Sequence, residues 1–353
     1  MDPRKTPILL TALMLTAAGA YADLVLGSGK KIVFPDGSTL NSANQTRGFN
    51  NTATGLHATV AGGAFNSASG DYSFIGGGSD NDAVDEVAAD KYQTIAGGQA
   101  NISQGTGWTI GGGEFNLTVG SGFDNTIAGD YYNFAGDGID NTSYGTVGGG
   151  GINTASGDFA TVPGGSNNVA FGHYSFAAGQ NAQANHNGAF DWADSTTAFG
   201  LNSAKANEFV ARASGCFFLY TNANTSIGAA LAPSGNTWLV ISDRDAKENI
   251  KPVDAEMVLD RVLNMPVQTF TYKEGDPNVA SMGVMAQDFY DAFGLGPDNR
   301  HVTEYDMVGA ALASVQGLNS KLESALKERD AKIAALEARL IEMEVRLAQL
   351  ATD

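Results

Sequence analysis

Ser242 and Lys247 are the two residues whose types and spacing could carry out chemistry in this chain. A serine hydroxyl is a weak nucleophile and needs a base to take its proton. Lysine can serve as that base only as the neutral amine, which burial favours. Such a pair could cut a peptide bond, and the bond at hand is the one before the serine, Ile241–Ser242. Attack of Oγ on the Ile241 carbonyl would turn the amide into an ester, which water would then hydrolyse. A plainer reading uses the same residues. Ser242 can cap a helix, with Asp245 three positions on completing a capping-box-like pair. On a regular helix, residues five apart do not face each other. Catalysis therefore requires the segment to leave helical geometry or fold back.

Other chemistries find little support. The four histidines lie far apart, without metal-ligand spacing. No EF-hand loop and no calcium-type nonapeptide recurs. The first two-thirds of the chain shows no constellation that singles out a pair of glycosidase carboxylates. No metal or cofactor is expected. A net charge of −18 argues against binding nucleic acid or anionic membrane by general electrostatics. Cys216 is the one cysteine, so an intrachain disulfide framework is excluded.

The elements that would position Ser242 and Lys247 differ sharply on either side. At the start, Arg4 and Lys5 precede an apolar run from Ile8 to Ala18, and Ala20-Tyr21-Ala22 is a cleavage pattern. Residues 1–22 read as a secretory signal peptide, with Asp23 the mature terminus and a secreted or cell-surface destination. No other apolar run is long enough to span a membrane.

Residues 23–194 form a Gly- and Asn-rich head. The chain has 45 glycines in 353 residues, well above the usual share of roughly 7%, and the excess falls before Ser242. A unit of roughly 15 residues recurs from about position 41. Gly55 to Gly63 is followed by Asn66, Gly70 to Gly78 by Asn81, Gly105 to Gly113 by Asn116, and Gly157 to Gly165 by Asn168. Weaker copies run from Gly129 to Gly136 and from Asp140 to Gly150, and Asp82 to Lys91 reads as an inserted loop. Each unit holds one short alternating stretch, such as Tyr72-Ser73-Phe74-Ile75. So short a strand is not stable alone, and stacked units would bury one continuous stripe, as in a solenoid. Glycine would supply positive φ at the corners and asparagine would tolerate left-handed turns.

Residues 195–241 read as a β neck. Asn207 to Tyr220 suggests two strands about Gly215, and Leu231 to Ile241 a turn feeding a last strand. From Ser242 to Asp353 the composition is that of an ordinary α+β domain. Val253 to Leu263 has helical spacing, Val267 to Tyr272 alternates, and Ser281 to Asp288 reads as a strand turning into a helix. Residues 308–350 carry apolar residues at 4-3 spacing, with Leu312 at a and Val315, Leu322, Leu336 and Leu350 at d. That pattern predicts a coiled coil, with Asn319 at a and Arg329 at d helping to fix register. The heptads leave dimer against trimer open.

Two resemblances follow from these motifs. The repeats between about 50 and 190 resemble the head repeats of trimeric autotransporter adhesins. That resemblance implies a left-handed parallel β-roll, with three rolls about an axis. Those adhesins end in membrane-spanning strands, which are not read here, so anchoring by that route is not expected. Residues 242–353 resemble the intramolecular chaperone domain of endosialidase tail spikes, peptidase family S74. The resemblance rests on Ser-Asp-x-Arg with Lys247 and Glu248-Asn249-Ile250, then Gly283 to Gln287, then Tyr305-Asp306 leading into the coiled coil. Members trimerise the fibre ahead of them and then cut themselves off at the motif serine. The resemblance implies Ser242 as nucleophile and Lys247 as general base, with structural roles for Asp243, Arg244 and Ile250. Asp245-Ala246 replaces the basic–apolar pair more often seen there.

The fold expected is therefore mainly β. A parallel β-roll head leads through a β neck to a small α+β chaperone domain ending in a coiled-coil helix, in a homotrimer. The function expected is an exported, adhesin-like trimeric fibre that matures by autoproteolysis. The alternative is a non-cleaving surface or phage-tail-fibre-like protein whose last domain is a permanent trimerisation module. The head's partner, a host surface or a glycan, is left open.

Overall fold

The computed structural model describes residues 31–33, 39–41, 45–46, 48–84, 91–136, 143–196 and 199–350. The expected signal peptide lies outside them, as do 85–90 and 137–142 within the repeats. The chain divides into two compact units, Met1–Ile241 and Ser242–Asp353.

The first unit is a parallel β-solenoid. Among the described residues its strands form one sheet of 10 and another of 12, each inner strand pairing with those one coil before and after. Strands such as Thr59–Val60 and Phe74–Ile75 are only two residues long. Their stability comes from the stack, because Val60 pairs with Ile75 and Ile75 with Ile95. Val60, Ile75, Ile95, Ile110, Ile127, Val147 and Val162 are fully buried in one sheet. Ala68, Ala83, Ala135, Ala155 and Ala170 face them from the other. Large residues set against alanine let the two sheets approach closely.

The repeating asparagines do something other than turn the corners. Asn66, Asn81, Asn101, Asn116, Asn133, Asn153 and Asn168 are buried and form an internal ladder. Asn116 shows the pattern. Its amide and Nδ2 donate to Asn101 Oδ1 at 3.0 and 3.1 Å, and Nδ2 also donates to Gly112 O and Asp130 O. The Asn133 amide donates in turn to Asn116 Oδ1 at 3.0 Å. Positive φ falls instead on the residue just before each asparagine, as at Phe65 (58°), Phe115 (58°) and Tyr132 (55°). A second set of corners places Tyr72, Tyr92, Tyr144, Phe159 and Tyr174 at positive φ. Tyr72 is thus a corner, and the expected four-residue strand is Phe74–Ile75 alone. A left-handed non-glycine residue costs about 1–2 kcal/mol. Stacking offsets part of this: the Tyr144–Phe159 and Phe159–Tyr174 ring centroids lie 4.8 and 5.1 Å apart.

Replacing Asn116 by alanine would strand the buried Asn133 amide and remove the side-chain donor to the half-buried Gly112 carbonyl, while the Asp130 carbonyl would keep its bond from Glu114 N. At about 1–3 kcal/mol for each group left unsatisfied, the loss should exceed that of an ordinary buried substitution. Thermal unfolding followed by circular dichroism should show a clearly lower midpoint, and an unchanged midpoint would mean the ladder is not holding the coils.

The expected loop at Asp82–Lys91 is partly solenoid. Asp82–Val84 is a strand pairing on both sides, and Lys91 bridges to Asp71. The solenoid also runs further than expected. Phe209–Arg212, read as neck, pairs in parallel with Phe190–Ala193. Asp194 closes this end, accepting from Ser214 N at 2.6 Å, Thr196 Oγ1 at 2.6 Å and Arg212 Nε at 3.0 Å. These bonds, led by Ser214, hold its carboxyl well below the usual range.

Asp191 occupies a core position, paired with Ala177 and Val210 and fully enclosed, with neither carboxylate oxygen hydrogen-bonded. Burial pushes its pKa up to about 6; Glu208 adds to the rise, and the Ser203 backbone and His186 oppose it. Its folded pKa lies above its unfolded value near 3.9. The folded state therefore binds the proton more tightly, and stability should fall as pH rises from about 4 to about 6. Asp191→Asn should abolish that slope in melts run across pH 4–7, and a slope that persists would place its origin elsewhere.

The neck is a three-stranded antiparallel sheet of Phe217–Tyr220, Gly228–Leu231 and Trp238–Val240. Phe217–Tyr220 pairs with Gly228–Leu231, not with Phe209–Arg212 across Gly215 as the sequence suggested.

The second unit holds α1 (Ala255–Asn264), α2 (Ala286–Phe293) and α3 (Glu304–Leu350), with a two-stranded sheet of Gln268–Phe270 and Ser281–Gly283. Asp254 caps α1, accepting from Glu256 N and Met257 N at 3.1 Å. α1 packs on α3 at Gly317, where a Cβ would lie 2.2 Å from the Ala255 carbonyl oxygen, so only glycine allows this approach. Lys321 Nζ reaches Asp260 Oδ1 at 2.6 Å beside it, and Arg261 donates to Ala292 O at 2.7 Å, tying α1 to α2. Ala313 and Gly317 are buried. They occupy heptad positions b and f, opposite the a and d residues, and the apolar a/d stripe is left exposed from Val308 to Leu347.

Candidate functional site: Ser242 and Lys247

Residues 241–254 carry no helix or strand, so Ser242 caps no helix; the first helical cap is Asp254. The segment folds back instead. Asp243 Oδ1 accepts from Asp245 N at 3.1 Å, an Asx turn. Lys247 N donates to Arg244 O at 3.1 Å, closing the next turn, and Asn249 takes φ of 57°. The reversal brings Lys247 Nζ to 2.6 Å from Ser242 Oγ, to which it donates. Lys247 Nζ also lies 5.8 Å from the centre of the Tyr305 ring, an attractive arrangement for a cation. Tyr305 stands in the first turn of α3, which Thr303 begins: Thr303 Oγ1 accepts from Asp306 N at 3.1 Å and donates to Asp306 Oδ2 at 2.6 Å.

These contacts assign local work to each residue singled out from the sequence. Asp243 and Arg244 supply the turn that returns Lys247 to Ser242. Ile241 follows the last neck strand, and the boundary between the two units falls between it and Ser242. Ile250 is exposed. Tyr305 beside Lys247 could not be foreseen from spacing, because 57 residues of chain intervene between two short motifs that only folding brings together.

Clefts of this unit lie apart from the pair. One of about 910 Å³ is lined by Asp254, Glu256, Asp260, Asp288 and Asp291 with Arg261 and contains neither Ser242 nor Lys247. Among the described residues, no group of acidic, His or Cys side chains could hold a metal ion. No helix of the described residues is long and apolar enough to cross a membrane.

Residues 242–296 match the family described as chaperone of endosialidase, peptidase S74. The matched segment begins at Ser242 itself and spans both turns, α1, the two-stranded sheet and α2. No curated protein matches the chain. The solenoid ahead of the matched segment fits the head repeats that the sequence resembles.

Proposed function

We propose that this protein is an exported trimeric fibre, adhesin-like in its head, whose C-terminal chaperone domain drives assembly and then releases itself by cleavage at Ser242. The observation that carries this reading is the 2.6 Å contact between Ser242 Oγ and Lys247 Nζ, at the first residue of the chaperone match.

The chemistry balances within the chain. Lys247 takes the Oγ proton as Oγ adds to the Ile241 carbonyl carbon. Lys247 then gives that proton to the Ser242 nitrogen as the C–N bond breaks, leaving an ester and a free amine. Water cleaves the ester, giving the Ile241 carboxylate and restoring the Ser242 hydroxyl. In the single chain the pair is open to solvent. Lys247 is exposed and donates to Oγ, whereas a base must accept from it. Lysine is protonated in neutral water, and packing by neighbouring copies is what would desolvate the amine and favour its neutral form. Cleavage then waits for assembly and reports on it.

The exposure of Ser242 and Lys247 also favours a second reading, in which the domain stays attached as a permanent trimerisation module. Gel electrophoresis with N-terminal sequencing separates the two. Cleavage gives two fragments, the smaller about a third of the chain and beginning at Ser242. One full-length band after assembly would leave the second reading.

A further inference from the structure

The neck sheet has two apolar faces and no polar one. Its register puts Phe217, Leu231 and Trp238 in one row, with Leu219, Ala229 and Val240 behind them on the same face. Phe218, Ala230 and Leu239 lie on the opposite face, with Tyr220 and Gly228 in the next row. No charged residue stands on either face, in a chain of net charge −18. An antiparallel sheet with one wetted face alternates apolar and polar residues along each strand. The runs Phe217–Tyr220 and Trp238–Ile241 do not alternate. Yet the chain leaves large side chains bare on both faces: Trp238 is 51% exposed on one and Phe218 53% on the other, while the small Ala230 between Phe218 and Leu239 is buried. Soluble single chains rarely leave such patches bare, and bare patches mark interfaces.

We propose that both faces of the neck sheet are covered by the neck sheets of two further copies of this chain, each sheet lying between its two neighbours. The proposal rests on the self-association put forward above. The occupant is argued from three observations. The α3 stripe on the same chain is also unpartnered, so an oligomer built through it brings identical necks together. Two opposite faces cannot both be covered by an isologous pair, which buries one patch against its own copy; they need a ring of at least three. That geometry excludes the dimer, one of the two numbers the heptads leave open. Finally, the neck ends at Ile241. When the bond to Ser242 is cut, α3 departs with the chaperone domain, and the contacts that keep the fibre together must lie before it. The neck sheet supplies apolar surface there, directly before the cut.

The test uses the full chain with Ser242→Ala, to keep it whole, and Cys216→Ser, to remove the native thiol. Leu219→Cys reports one face and Leu239→Cys the other. In the oligomer, each should react with a water-soluble maleimide at least about tenfold slower than in urea. The double variant, oxidised, should give covalent species larger than a dimer, and neither single variant should cross-link. Hydroxyl-radical footprinting of the chain with native Leu219 and Leu239 reads Trp238 and Phe218 directly, and both should be protected. Either face reacting at its urea rate in an intact oligomer overturns the proposal and leaves self-association standing. Covalent dimers from a single-cysteine variant overturn the ring. A monomer in sedimentation overturns both readings.

Discussion

A Ser242→Ala chain is expected to remain one uncut band under conditions where the native chain gives two, while sedimenting with the same mass before cleavage. The expectation follows from atoms rather than from the family match alone. Alanine deletes Oγ, the only nucleophile that the 2.6 Å contact presents to Lys247, and the exposed turn around it keeps its Asp243 and Arg244 hydrogen bonds. The fold should therefore survive while the reaction does not. Lys247→Ala keeps the hydroxyl but removes the base, a loss worth about 10²–10⁴-fold in rate. Lys247→Arg is the sharper control. Guanidinium retains the charge and the donor but does not release its proton, so assembly should proceed and cleavage should fail. If the arginine chain cleaves at the native rate, Lys247 serves only to position Ser242. If the alanine chain is still cut before residue 242, the nucleophile lies elsewhere.

The head was legible because its glycines and asparagines recur in register with buried Val and Ile, a pattern that only stacked coils satisfy. What each residue does in the coil was not legible. Asparagine is a common corner residue, so Asn66 and its equivalents were read as corners, yet they sit inside as a hydrogen-bonded ladder. The corners fall on Tyr72, Phe115 and Phe159, which local propensity assigns to strands. Contacts between coils decided both, through amides exchanged from one asparagine to the next and rings stacked across the same interval. The neck strands were found but not their partners, since an unbroken apolar run carries no alternation to say which neighbour it pairs with. At the candidate site, spacing allowed a helix cap or a reversal of the chain. The Asx turn at Asp243 and the turn that Lys247 N closes on Arg244 O select the reversal, and neither is visible as a pattern because each depends on local backbone conformation.

Leu336→Asp is expected to leave a folded but monomeric chain that is never cut. Leu336 is a d residue, 64% exposed in the single chain, on the stripe that α1 does not use. Its side chain therefore contributes little to the folding of one copy, and α3 keeps its i,i+4 pairs at Glu328–Lys332 and Glu342–Arg346. In a coiled coil the same position is enclosed by the neighbouring helices. An unpaired carboxylate there costs several kcal/mol by desolvation, and a symmetric assembly meets that cost in every copy at one level of the axis. The effect should thus fall on association and leave helicity nearly unchanged. Sedimentation should read one copy at micromolar concentration, and circular dichroism should read a retained helix. Cleavage should be lost with assembly, because Lys247 would stay exposed to solvent. A Leu336→Asp chain that sediments with native mass would show that α3 is not the seam. One that sediments as a monomer and still cuts itself would show that the Ser242–Lys247 pair needs no partner, and the coupling of cleavage to assembly would be gone.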